Sequence, residues 1–282
     1  MKRARVNGAE LEYEIRGEGE PVLLIHGAHI ADAMAPLMLA SALEGFQLIR
    51  YHRRGFAGSS PLAGPTPADV LADDAGALLG VLGLDAAHVV GHSSGAVIAI
   101  ELGARHPRRV LSLSLLEPPV LSSPAGLVFW QLVGPLEARF RDGDPAGAVE
   151  GFLALVGDSE WRSTIERAVP GGVEQAQRDA ATFYESELRA VGSWTFDRQR
   201  ASAITCPVLS VLGTASGPLF AEGRAHLHEW FDNCADADLA GVSHLLQMED
   251  TDGVADAIGR FLRSLAPAAT GGHAEASASR DV

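Results

Sequence analysis

No stretch of the chain constrains its fold more than His88-Val89-Val90-Gly91-His92-Ser93-Ser94-Gly95-Ala96. An apolar run through Val89 and Val90 reads as a buried strand, and Ala96-Val97-Ile98-Ala99-Ile100-Glu101-Leu102 continues as a helix. Between them, Gly91-x-Ser93-x-Gly95 predicts a turn so tight that the positions two either side of the serine tolerate little beyond glycine. The serine at the tip is expected in a strained conformation that pushes its hydroxyl into the open, the pattern of a nucleophile elbow. Glycine and serine are common, so the bare motif is weak; the strand before it and the helix after it carry the assignment.

The surrounding chain repeats the alternation of strand and helix. Residues 9–16 alternate polar and apolar, as a half-exposed antiparallel strand does, and Gly17-Glu18-Gly19-Glu20 is a turn. Pro21 to His26 is a mostly apolar run, typical of a strand buried on both faces. Residues 33–43 read as a helix, 46–51 as a strand, 69–82 as a helix, 94–105 as a helix and 110–116 as a strand. Later come a strand at 208–213, a helix at 218–231, a short strand near 236–240 and a last helix from about 246 to 264. Such alternation predicts an α/β fold with a parallel sheet wrapped on both faces. It stops between Pro118 and Thr205, a stretch helical in pattern that carries Phe129, Trp130, Phe140, Phe152, Trp161, Phe183, Tyr184 and Trp194. Too long for a loop, this stretch reads as a helical cap inserted into the sheet domain. The expected organisation is a core of residues 1–117 and 206–265, a cap over 118–205, and a disordered tail over 266–282, whose Ala, Gly and Ser cannot bury enough surface to fold.

Composition narrows the function. A formal net charge of −14 argues against nucleic acid or an anionic membrane as partner, since both call for clustered Lys and Arg. No signal-peptide pattern follows Met1-Lys2-Arg3-Ala4-Arg5, and no run of about 18 apolar residues occurs, so a cytoplasmic protein is expected. Cys206 and Cys234 have no metal-ligand spacing and are expected as reduced thiols, with a disulfide between them left open if their strands are neighbours. Neither an H-E-x-x-H cluster nor a G-x-G-x-x-G after a strand is present, so no metal and no dinucleotide cofactor is expected.

With His26-Gly27, the segment Tyr51-His52-Arg53-Arg54-Gly55-Phe56-Ala57-Gly58-Ser59, the Ser93 turn and a late His244, the chain resembles the α/β-hydrolase superfamily over roughly residues 8–265. The resemblance implies a mostly parallel eight-stranded sheet with helices on both faces and the cap inserted after strand six. It also implies a triad. Ser93 would be the nucleophile, and His244, in the loop Leu239-Ala240-Gly241-Val242-Ser243-His244, its base. Most members carry the acid after the seventh strand, where this chain has Gly213-Thr214-Ala215-Ser216, and a serine cannot stabilise an imidazolium as a carboxylate does. Glu117, directly after the sixth strand, is therefore the expected acid, with Asp232, Asp236 and Asp238 weaker candidates. The backbone N–H groups of Ala28 and Ser94 are the expected oxyanion hole. His92 and His26 are expected to pack the elbow and the oxyanion loop, His52 to be structural, His88, His106, His226 and His228 to lie at the surface or a strand edge. His29, Phe129, Trp130 and Trp194 are guesses for pocket lining. A serine disfavours epoxide-hydrolase and haloalkane-dehalogenase chemistry, which needs an aspartate nucleophile. The reading is a cofactor-free hydrolase of an ester or lactone of a mostly apolar small molecule. C–C bond hydrolysis or perhydrolysis with the same triad, and a non-catalytic binding protein on this fold, stand as alternatives. The sequence leaves the oligomeric state open.

Overall fold

The computed structural model describes residues 1–62 and 64–265, and an eight-stranded sheet runs through it. The strands are β1 (Lys2–Val6), β2 (Ala9–Arg16), β3 (Glu20–Ile25), β4 (Phe46–Tyr51), β5 (Ala87–His92), β6 (Val110–Leu116), β7 (Val208–Gly213) and β8 (Cys234–Leu239), in the spatial order β1-β2-β4-β3-β5-β6-β7-β8. β2 pairs antiparallel with β1 and β4, and every other pairing is parallel. All the parallel strands therefore end on one edge of the sheet, where α/β folds place their ligands.

Two-sided burial explains why β3 and β5 read as apolar runs. Leu23 and Ile25 of β3 pack on one face with α1 (Ala68–Val81) and α2 (Ser94–Arg105). Val22 and Leu24 face the other way, toward Leu37, Leu43 and the final helix. Every residue of β5 is buried. That includes His88, expected at a strand edge, whose Nδ1 instead pairs with Ser112 Oγ at 2.8 Å inside the sheet.

Between β6 and β7 lie α3 (Pro124–Arg141), α4 (Pro145–Val156), α5 (Trp161–Ala168), α6 (Gly172–Arg178), a π-helical turn (Thr182–Glu187), α7 (Leu188–Gly192) and α8 (Arg198–Ala201). Their own apolar cluster includes Val149, Phe152, Ile165, Phe183 and Tyr184, and Ile30, Leu245 and Met248 of the sheet domain join it. α9 (Pro218–Trp230), α10 (Leu246–Glu249) and α11 (Thr251–Leu265) complete the chain as described; the tail expected at 266–282 lies outside the described residues.

Three elements depart from expectation. β1 was not anticipated, because only Ala4 and Val6 of its five residues are buried. Residues 33–43 form two 3₁₀ turns, Pro36–Leu39 and Ser41–Leu43, in place of one helix. Pro36 has no N–H to donate and Ala40 is extended (ψ 125°), which interrupts the ladder. The last helix is broken at Asp250 (φ −133°, ψ 71°), which separates α10 from α11.

Candidate active site

Five non-glycine residues among those described have positive φ, and three of them sit just beyond the C-terminal ends of neighbouring strands: His29 (62°) after β3, Ser93 (55°) after β5 and Glu117 (52°) after β6. Strain of this kind persists only where the surroundings over-determine it, and its clustering marks the site. At Ser93 the determinants are visible. Its N–H donates to Leu116 O at 2.8 Å, which locks the turn to β6. A Cβ on Gly91 would strike the backbone of Gly95 and Ala96, and one on Gly95 would strike the carbonyls of Ile25 and His26. Helix α2 can start this close to β3 only because both positions lack side chains.

Glu117 reaches from β6 to the loop after β8. Its Oε2 lies 2.6 Å from His244 Nδ1, with both side chains buried. Its Oε1 accepts from Gly213 N–H at 2.7 Å and from Ser216 Oγ–H at 2.6 Å. Ser216, in the loop after β7, thus donates to a carboxylate carried at the end of the adjacent strand β6. Burial pushes the Glu117 carboxyl up to about 7, and the Ser216 and Gly213 donors pull against it. Burial pushes His244 down to about 3, so its imidazole rests neutral. Asp232, Asp236 and Asp238 pair elsewhere, with Arg198, His228 and Arg224.

Two rings pack on the His244 imidazole. Phe220 of α9 stacks on it at 3.8 Å between centroids and 8° between planes, and His92 lies against it, tilted by 36°, at 4.7 Å. Phe220 was not singled out from the sequence, where it is one apolar residue in the first turn of an amphipathic helix. His92 Nε2–H donates to His244 O at 2.9 Å, and its Nδ1 accepts from Gln247 at 3.2 Å. With Nδ1 of His244 engaged by Glu117, Nε2 is the nitrogen left for the cavity. Ala28, Ser93, Ser94 and His244 line one small cavity of about 30 Å³, with Phe129, Phe152, Phe183, Leu219 and Phe220 around them.

The loop that carries Ala28 is braced from beneath. His26 Nδ1–H donates to Gly27 O at 2.8 Å and its Nε2 accepts from Arg53 N–H at 3.0 Å. The Arg53 guanidinium donates to the same Gly27 O at 2.7 Å and approaches the buried Glu187 at 2.8 Å. That second approach lies off the hydrogen-bonding direction, so the pair is Coulombic. His52 lies between Glu12 (3.1 Å) and Asp32 (2.9 Å), away from the cavity.

Of the four residues guessed as pocket lining, only Phe129 reaches the cavity. His29 is buried against Phe152, Phe183 and Tyr184 with both ring nitrogens unpartnered, turned into the aromatic cluster by its positive φ. Trp130 lies over Gly192, and Trp194 packs on Phe196 and Trp230 while its Nε1–H donates to Glu101 at 2.7 Å. Both indoles anchor the helical segment. Among the described residues one group has donor atoms close enough to share a metal ion: His228, Cys234 and Asp236, all within 4.8 Å of one another. It lies between α9 and β8, where Asp236 also pairs with Arg224, and none of it lines the cavity. Cys206 and Cys234 are free thiols. No helix among the described residues is long and apolar enough to cross a membrane.

A family model described as alpha/beta hydrolase fold matches residues 20–251. The uncharacterized hydrolase YraK of Bacillus subtilis is 27% identical over 231 residues, covering 77% of this chain and 79% of that protein. Among solved structures, a thermophilic esterase from Thermogutta terrifontis superposes with a TM-score of 0.78 at 21% identity, over 94% of this chain and 99% of that one. The enol-lactonase from Burkholderia xenovorans LB400 gives 0.76 at 22% identity, over 93% and 100%.

Proposed function

We propose that this chain, which belongs to the alpha/beta hydrolase fold family, is a serine hydrolase that cleaves a carboxylic ester or lactone of a mostly apolar small molecule. The observation that carries the proposal is the buried Glu117–His244 pair, 2.6 Å apart, with His244 on the same small cavity as the strained Ser93. An esterase and an enol-lactonase share the fold, which makes an acyl carbon the first centre to test.

In this reading Ser93 Oγ attacks the carbonyl carbon while His244 Nε2 takes its proton. Glu117 stays ionised and holds Nδ1–H, which fixes the tautomer and stabilises the imidazolium. Negative charge on the carbonyl oxygen meets the backbone N–H groups of Ala28 and Ser94, the latter opening α2, whose dipole adds to the effect. The intermediate collapses, the alkoxide leaves with the proton from Nε2, and an acyl-enzyme remains. Water deprotonated by His244 then attacks the acyl carbon, and Ser93 departs with the proton returned. No cofactor enters these steps.

The test is turnover of a short-chain aryl ester by wild type and Ser93→Ala, with mass spectrometry of a fluorophosphonate adduct. The expected result is turnover lost in the variant and the adduct on Ser93. Wild-type protein that neither turns over nor labels would overturn the proposal in favour of a binding protein.

A further inference from the structure

The cavity at Ser93 is too small for the substrate class proposed. Its 30 Å³ is room for about one or two waters, whereas sites for drug-sized ligands run to ~300–1,000 Å³. A groove of about 460 Å³ lies directly against it, between α3, the end of α4 and the start of α9. Phe129, Val156, Leu219 and Phe220 border both, so the groove adjoins the small cavity across those four side chains. It is lined almost wholly by apolar side chains, and Val128 and Leu132 of α3 face it while 55% and 51% exposed. Its mouth is fixed: Glu222 of α9 accepts from Ala125 N–H at 2.8 Å, joining α9 to the first turn of α3. That bond and a second donor, Ser123, hold the Glu222 carboxyl below its ordinary range, so the polar rim is anionic.

We infer that the groove binds an uncharged, extended apolar chain of the substrate, attached to the acyl group whose carbonyl meets Ser93. The inference rests on the serine-hydrolase reading. A methylene chain is the slender shape that can thread between two phenylalanines, a valine and a leucine and bury apolar surface against α3 and α9. A second carboxylate at the far end of the chain would meet Glu222 and a protein of net charge −14, which excludes fatty diacids as preferred occupants. Phe220 lines the groove and stacks on His244 as well, so chain occupancy and base geometry share one side chain.

Two measurements test the inference. The first is kcat/KM for p-nitrophenyl esters from acetate to octanoate in wild type, Val128→Glu and the double variant Val128→Glu/Leu132→Glu; both sites are exposed, so folding is retained. The expected octanoate-to-acetate ratio in wild type is at least about tenfold, falling about tenfold or more in the double variant. The second is calorimetric binding of 1-octanol, of octanoate and of the diacid suberate to Ser93→Ala, which needs no turnover. Saturable octanol binding, weakened in the double variant, with octanoate at least about tenfold tighter than suberate, supports the groove even if Ser93 proves inert. Acetate turnover and Ser93 labelling with a flat chain-length profile and no octanol binding would overturn the groove and leave the hydrolase standing. Substitutions that change only the sedimentation of the protein or its adhesion to phosphatidylcholine vesicles would mark a docking face for a second copy or a lipid surface, and would equally overturn it.

Discussion

The hydroxyl of Ser216 sets how readily the Glu117 carboxyl ionises. A carboxyl that is almost fully buried is held at about 7 by desolvation, and each donor to the carboxylate lowers it. Protonation of the Glu117–His244 pair removes either the anionic partner or the free base, so kcat/KM should fall as pH drops through about 7, a limb that belongs to the pair. Ser216→Ala deletes one donor to the charged form. A hydrogen bond to a charged group contributes ~1.5–3 kcal/mol, and the acid limb should therefore move upward by about one to two pH units. The variant should lose far more activity at pH 6.5 than at pH 8.5; an unmoved limb in the pH profile of kcat/KM would refute the role. Glu117→Gln is the harsher change: a neutral amide supports the wrong tautomer, and kcat should drop by about 10⁴ with circular dichroism unchanged. Asp236→Asn and Asp238→Asn should leave turnover near wild type, since those groups pair with His228 and Arg224. The pairing of Glu117 with His244 was legible because a triad reading calls for a carboxylate and the position after β7 holds a serine. The serine's own role was not, because only the packing of β7 against β6 shows that its hydroxyl reaches Oε1.

At the scale of elements, the elbow was legible for a backbone reason and the lining was not. Gly91-x-Ser93-x-Gly95 encodes a close approach between α2, β5 and β3 that no other residue allows. Adding one methyl tests it. In Gly95→Ala the Cβ would meet two carbonyl oxygens of the β3 end, backbone that has no rotamer to yield. Overpacking of this sort costs ~1–3 kcal/mol or more, and the melting temperature should fall by at least several degrees along with turnover. Thermal denaturation followed by circular dichroism reads this directly; an unshifted midpoint would show that the strand end can move. The helical segment gave its content but not its facing. Phe152, Phe183 and Trp194 are equally apolar in sequence, and at helical spacing any of them fills a core. Only the crossing of helices decides that the first two border the cavity while Trp194 is tied to Glu101. Residues 33–43 misled for a related reason: their apolar spacing suits a helix, and a proline with one extended residue suffices to break it into 3₁₀ turns.

At the scale of the molecule, the helical segment is fastened to the loop that also braces the Ala28 turn. Asp179 accepts from Ala57 N–H at 2.8 Å, Thr182 Oγ–H donates to Gly55 O at 2.5 Å, Ser186 accepts from Thr66 N–H at 2.9 Å, and Glu187 faces Arg53. Three of these four partners belong to the π-helical turn, an irregularity that often marks a functional position. Arg53 is the joint that matters chemically, since the same guanidinium holds Gly27 O, one residue before Ala28. Removing one member of a buried pair leaves an uncompensated charge. Glu187→Gln should accordingly destabilise by about 3–5 kcal/mol, read as a loss of midpoint in urea. Replacing both charges, in Arg53→Met/Glu187→Leu, removes that penalty, and well-packed apolar pairs are often as stable as the ions they replace. Stability should then return while kcat stays depressed, because a thioether side chain in place of the guanidinium donates nothing to Gly27 O and the Ala28 N–H is no longer held at the developing oxyanion. If the double variant recovered turnover together with stability, Arg53 would be a fastening of the two halves alone, with no part in positioning the oxyanion loop.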